Sequence, residues 1–316
     1  MNLNLITWAL VGIVLAALGI ATLFGHLLGG QTDSGINPAV VRNFNLRVRA
    51  WWLMCSLLAA AVLLGNTITV ILFGLISFWA LREFITVTPT RLSDHRALFL
   101  IFFVFTPLQY LLVGLDNYDL FSVMIPVYAF LFVPAHVAFA GDYKRFLERT
   151  AKIQAGLMIC VYCLSHAPAL INLTENRNHN VQLLFFFVVA TQLGDAIQFG
   201  FGRLWGKRVI APAISPNRTW EGLYGSIAVN ALLGVALSWA TPFNLWQAAG
   251  MAGITTLTGF AGGMTMSAIK RDRGVRDYGT LVEGHGGVLD RIDSLCFAAP
   301  VFYHLTKSLI AYGWLS

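Results

Sequence analysis

Between Ser267 and Asp293 the chain gathers Lys270, Arg271, Arg273, Arg276, Asp277, His285, Asp290, Arg291 and Asp293, with Gly284, Gly286 and Gly287 around the histidine. Cations suit phosphates, carboxylates suit a hard metal ion, and glycines let a backbone approach a ligand without side-chain obstruction. Together they are the ingredients of nucleotide chemistry. Asp290 and Asp293 are three residues apart, so a helix starting here puts them on one face. Two carboxylates on one face suit Mg²⁺, which typically takes one or two carboxylates plus phosphate oxygens. The structural alternative is that Asp290 or Asp293 caps the helix while Arg291 pairs with one of them.

Two further polar groups interrupt the apolar sequence. Gly206-Lys207-Arg208 precedes a run from Ile214 to Gly222 that contains Ser215, Pro216, Asn217, Arg218, Thr219, Trp220 and Glu221. The pattern predicts Ser215 as the cap of a helix, with Asn217, Arg218 and Thr219 near its N-terminus, where free N–H groups and the helix dipole favour an anion. Arg218 reaching for lipid headgroups is the plainer alternative. Asp195, following Gly194, lies inside an apolar run. A carboxylate there marks a functional site or a buried pair, with Arg203 or Lys207 as the pairing alternative.

The elements that must position these residues follow from composition. Hydrophobic residues form 57% of the 316 and charged residues 11%, with a mean hydropathy of +0.69. Soluble proteins carry roughly 25% charged residues, so this chain needs a bilayer to cover its apolar surface. Ten apolar blocks are legible, at about 5–28, 51–65, 67–81, 97–115, 119–140, 153–171, 181–201, 222–241, 245–269 and 293–312. Their lengths suit roughly 30 Å of hydrocarbon at 1.5 Å per residue. The second and third are short, which predicts an all-α polytopic membrane protein of nine or ten spans. It is expected as one continuous membrane domain, with N-terminal helices in 1–180 and a catalytic half in 181–316. Residues 1–28 lack a basic n-region and a good cleavage site, so they are expected to remain as a helix.

Of the 21 lysines and arginines, this arrangement leaves only Arg177 and Lys307 on one side. The side holding the others is expected to be cytoplasmic. All three polar clusters fall on it. The four cysteines lie within apolar blocks, so Cys160 and Cys163 are expected to pack rather than to do redox chemistry.

The run from Ser267-Ala-Ile-Lys-Arg through Asp277-Tyr-Gly to His285-Gly-Gly-Val-Leu-Asp-Arg-Ile-Asp293 resembles the signature of the CDP-diacylglycerol synthases, also called phosphatidate cytidylyltransferases. Ser215-Pro-Asn-Arg-Thr-Trp-Glu-Gly222 is similar to the Ser-Pro-Lys-Lys-Thr-Trp-Glu-Gly run that this family carries upstream. The resemblance covers roughly residues 190 to 300. It implies that CTP and phosphatidic acid are converted to CDP-diacylglycerol and pyrophosphate, in an integral membrane protein of the bacterial inner membrane whose site faces the cytoplasm. The candidate catalytic residues are then Asp290, Asp293, Lys270, Arg271 and His285. The candidate substrate-binding residues are Ser215, Asn217, Arg218, Thr219, Arg276, Asp277, Gly286 and Gly287. Mg²⁺ is expected on Asp290 with Asp293 or Asp195. CTP and membrane lipid are the expected partners, nucleic acid is not, and a homodimer is the assembly considered.

Several positions depart from the family pattern. Arg276 stands where Lys is usual, Glu283 where Pro is usual, and Met266 replaces a Glu before the signature serine. Gly263 stands where an aspartate, thought to help hold the metals, is usual. Glu283 is the candidate to supply that missing charge. Two other readings fit parts of the pattern. One is a paralogue that kept the fold but changed or lost the chemistry, and the other is a transporter for an anionic solute, though no inverted repeat is visible.

Overall fold

A computed structural model describes residues 5–30, 38–280 and 286–314. Among these the chain forms α1 (Leu5–Gly30), α2 (Pro38–Leu64), α3 (Asn66–Val87), α4 (Leu92–Gly114), α5 (Tyr118–Phe139), α6 (Phe146–Asn172) and α7 (Arg177–Trp205). A short hairpin, β1 (Val209–Ala211) and β2 (Ser215–Thr219), precedes α8 (Trp220–Ala240), α9 (Leu245–Asp272) and α10 (Leu289–Ala311). The protein is therefore an all-α membrane protein, with one small antiparallel hairpin among the described residues.

Each of the ten apolar blocks falls on a helix. Among the described residues seven of these helices are long and apolar enough to cross a bilayer, and α2 holds a shorter apolar stretch, Trp51–Leu64. The 28-residue α9 and 23-residue α10 are long enough but less apolar, because α9 carries threonines and glycines and both carry charged ends. Those small and polar residues face protein. Thr255, Thr256, Gly259, Gly262 and Gly263 of α9 are all buried. Small side chains let helices approach closely in a membrane, where packing rather than hydrophobicity drives association. A Cβ added at Gly262 would lie 2.8 Å from the Asp293 carbonyl oxygen on α10, so only glycine permits that crossing.

The break between the second and third blocks falls at Gly65, whose φ of 125° an L side chain rarely adopts. Asn66 then opens α3, which runs on to Val87 and carries Arg82 and Glu83 inside the helix. Three helices open into π-helical turns, at Ile101–Phe105, Met124–Ala129 and Met158–Cys163. In the first two, Pro107 and Pro126 lack the N–H that a regular ladder needs, which explains the local widening. Cys160 is fully buried in the core and all four cysteines are free.

The core joins α3, α6, α7 and α10 through Phe84, Leu157, Phe186, Phe187 and Phe302, each at most 2% exposed. A polar clamp holds the α3–α4 and α5–α6 connections. Arg149, buried on α6, donates from Nη2 to Asp94 Oδ1 at 2.7 Å and from Nη1 to the Asp142 and Lys144 carbonyls at 3.0 and 2.8 Å. Arg91 Nη1 reaches Asp142 Oδ2 at 3.0 Å.

The Arg91 guanidinium, the Lys144 amide and the Ser93 hydroxyl hold the Asp142 carboxyl down at about 2. Its folded value lies below the ordinary aspartate value of about 3.9. The stabilisation is therefore complete above about pH 4 and is lost as pH falls toward 2. The thermal midpoint is expected to drop over that window, and Asp142→Asn should flatten that part of the curve. An equally steep drop in the Asn variant would place the acid sensitivity elsewhere.

Candidate functional site

The site lies where β2, α7, α9 and α10 converge, and its residues form three linked groups. The first is the hairpin. Ala211 pairs with Ser215 and Val209 with Thr219, so β2 bulges. Here the structure corrects the sequence reading. Ser215 is a strand residue and caps no helix; the cap of α8 is Thr219, whose hydroxyl accepts from Gly222 N at 3.1 Å. Ser-Pro reads locally as a helix start, but pairing with β1 extends the backbone. Glu221 accepts from the Lys207 and Arg208 amides at 3.1 Å each and closes the loop below the hairpin. Arg271 Nε donates to the Ile214 carbonyl at 3.2 Å and ties the hairpin to the end of α9. Ser215 is half-buried, while Asn217 is exposed.

The second group is the turn into α10. Asp290 Oδ1 accepts from Lys270 Nζ at 2.8 Å, and Oδ2 accepts from the Tyr278 and Gly287 amides at 2.9 Å each. The Asp290 and Lys270 side chains are 5% and 14% exposed. Gly286 has φ +83°, and a Cβ there would lie 2.7 Å from Asp290 Oδ2, so glycine is required on both counts. Tyr278 is buried, stacks on Phe84 and donates its hydroxyl to the Met266 carbonyl at 3.0 Å. Burial pushes its phenol up, so it stays a donor.

Beneath this turn lies a carboxylate that the sequence reading missed. Glu83 of α3, 4% exposed, accepts from Val288 N at 3.0 Å and from Leu289 N at 2.8 Å. Gly279 and Gly287 pack directly on its carboxylate. It therefore serves the free N–H groups at the start of α10, where a negative charge also meets the positive end of the helix dipole. The one available signal was an acid at the very end of an apolar run.

The third group is an acid pair. Asp195 on α7 and Asp293 on α10 interact electrostatically with each other, and Arg218 on β2 acts on both. The charged groups that act on Asp195 are thus Asp293 and Arg218, and not Arg203 or Lys207. The Arg218 guanidinium lies on Gly263, with Nη1 donating to the Phe260 carbonyl at 3.0 Å and Cζ 5.0 Å from the centre of the Phe260 ring. Arg276 and Asp277 are exposed on the loop before the turn. His285, Gly284 and Glu283 lie outside the described residues.

Whether these donors suit Mg²⁺ is decided by their lone pairs. Mg²⁺ demands near-octahedral oxygen donors at short range. Asp290 Oδ2 accepts from two amides and Oδ1 from Lys270, which leaves about one lone pair on the carboxylate and sets an ammonium group beside it. Asp293 Oδ1 accepts from Ser294 N at 2.8 Å. Among the described residues no group of three His, Cys, Asp or Glu is placed to hold a metal ion. So arranged, they do not fit a Mg²⁺ held by the protein alone.

What the geometry provides is fixed positive charge over a partly buried acid pair, inside an all-α membrane protein. This chain belongs to the cytidylyltransferase family, whose model matches residues 45–309. It is 37% identical over 264 residues to the uncharacterized protein YnbB of Escherichia coli, an alignment spanning 83% of this chain and 87% of that one. It is also similar to a phosphatidate cytidylyltransferase of Staphylococcus aureus, at 34% over 129 residues, and to the chloroplastic phosphatidate cytidylyltransferase 4 of Arabidopsis thaliana, at 40% over 134 residues. Those matches take in 40% and 41% of this chain, but only 50% and 33% of the relatives' lengths.

Proposed function

We propose that this protein transfers a cytidylyl group from CTP to phosphatidic acid, giving CDP-diacylglycerol and pyrophosphate. A phosphate oxygen of the lipid attacks the α-phosphorus of CTP, a new P–O bond forms, and the bond to pyrophosphate breaks. Such a transfer needs positioning and charge neutralisation more than covalent help. The observation that carries the reading is the convergence of Lys270, Arg218 and the Asp195–Asp293 pair from α9, β2, α7 and α10.

In this reading Arg218, with most of its N–H groups beyond the one on Phe260, neutralises phosphate oxygens. Lys270 stays with Asp290 and presents charge beside them. Arg271 and Arg276 gather the triphosphate from solution, and Ser215 and Asn217 add neutral donors. The membrane fold suits a substrate whose phosphate lies at the headgroup plane while its chains stay in lipid.

The direct test uses purified protein with radiolabelled CTP and phosphatidic acid, with and without Mg²⁺. A chloroform-soluble cytidine product is the expected result. Binding of CTP with no product from any lipid phosphate would sink the proposal and leave the second reading, a paralogue with altered or lost catalysis. That reading is favoured by one observation, the guanidinium lying on Gly263.

We also propose that the site faces the cytoplasm of a bacterial inner membrane, supported by the one-sided distribution of Lys and Arg. In a background without the native cysteines, Ala213→Cys and Arg276→Cys should react with an impermeant thiol reagent only after the membrane is opened. Labelling of either in intact cells would reverse the orientation.

A further inference from the structure

Two carboxylates held close together in a poorly solvated site cannot both stay charged without a cation. Asp195 and Asp293 lie on α7 and α10 where both helices cross α9: Gly259 packs between Thr191 and Ser294, Gly262 lies against the Asp293 carbonyl, and the Arg218 guanidinium is seated on the adjacent Gly263. Lys270 also acts on Asp293, but Arg218 acts on both acids. Its guanidinium does so without closing an ion pair with either, among the described residues. It is fixed from behind by the Phe260 carbonyl and the Phe260 ring. That position exists because residue 263 has no side chain. A Cβ there would lie 2.8 Å from Arg218 Cζ and 2.9 Å from Nη1, and would collide with Nη2. We infer that Arg218 is the resident counter-ion of the Asp195–Asp293 pair, standing where two carboxylates would otherwise recruit a divalent metal, and that Gly263 is the residue that admits it.

The chemistry of the side chain fits this role. A guanidinium keeps its charge under partial burial, where a lysine would tend to lose its proton, and its planar fork spreads that charge toward two acceptors. With one donor spent on Phe260, the remaining N–H groups are left for an anion. The site would then meet a nucleoside triphosphate with a built-in cation. Protein alone should bind divalent ions weakly, and nucleotide binding should depend little on them.

The cation part of this inference does not need the cytidylyltransferase reading; the nucleotide part rests on it. Free Mn²⁺ is measured by its paramagnetic resonance signal at neutral pH. The samples are wild type, Arg218→Gln and Gly263→Ala in detergent, each also combined with Asp293→Asn. Gly263→Ala changes no charge and only evicts the guanidinium, so it keeps the test alive if Arg218→Gln fails to fold. Wild type is expected to leave Mn²⁺ essentially free. Both single variants should bind it at least about tenfold more tightly, and Asp293→Asn should abolish the gain. Tight Mn²⁺ binding by wild type that Asp293→Asn removes would overturn the inference, as would no gain in either variant. In a second arm, CTP is titrated into wild type in EDTA and in Mg²⁺. Affinities within a few-fold of each other are expected. Failure to bind CTP in either condition, with the Mn²⁺ arm as expected, would count against the nucleotide reading and not against the counter-ion.

Discussion

Asp290→Asn should abolish measurable turnover and also lower the thermal midpoint. An amide cannot satisfy the partners that Asp290 serves. It must turn either its NH₂ toward Lys270 or its NH₂ toward the Tyr278 and Gly287 amides. Either way a nearly buried donor loses its acceptor and Lys270 loses its counter-charge. Removing one partner of a buried ion pair typically costs about 3–5 kcal/mol. The turn that carries Gly286 and Gly287 should loosen with it, and turnover should fall at least about 100-fold. Lys270→Met in the same chain removes the stranded cation, so the double variant should recover part of the stability and none of the activity. Retention of more than about a tenth of wild-type activity by Asp290→Asn would show that this turn is not needed for chemistry. Unchanged stability would show that Asp290 acts as a ligand and not as a latch.

Glu83→Gln carries the next largest expected effect, although position 83 is far from the signature in sequence. Its two carboxylate oxygens accept separately from Val288 and Leu289, at the positive end of α10. Gln keeps one acceptor, points an NH₂ at the other amide, and removes the charge that the helix terminus favours. Hydrogen bonds to a charged group are worth about 1.5–3 kcal/mol, so a loss near the upper end is expected. Because both oxygens of Glu83 accept from the backbone of the turn, hydrogen exchange of the Val288 and Leu289 amides should accelerate in the variant. KM for CTP should rise more than kcat falls. Glu83→Asp, one methylene shorter, should recover only part of both. Unchanged exchange at those two amides would remove Glu83 from the positioning of the turn.

The bilayer class and the helical blocks were legible in the sequence because hydropathy and length answer to the solvent, which is local physics. Ten apolar blocks therefore fall on helices, and the charged stretch from Lys270 to Asp293 stands out against them. Where neighbouring residues compete for the backbone, the local pattern was insufficient. Ser215-Pro216 has the look of a helix start, yet pairing with Val209–Ala211 and the bond from Arg271 hold it as a strand.

Which carboxylate serves which partner was decided only by tertiary structure. Asp290 and Asp293 are one helical turn apart and equivalent by spacing, but one is latched by Lys270 and two amides while the other faces Asp195 on α7. Glu83 was invisible because its partners lie 205 and 206 residues away, and nothing local distinguishes a capping acid from a headgroup-level one. Gly263 is the plainest case. Against the pattern of the family it resembles it is a missing carboxylate; in the fold it is the space that Arg218 fills. Composition and periodicity determine what each segment does with its solvent. Long-range packing determines where each charge finds its counter-charge, because in a poorly solvated interior that partner must come from whichever helix is adjacent in space.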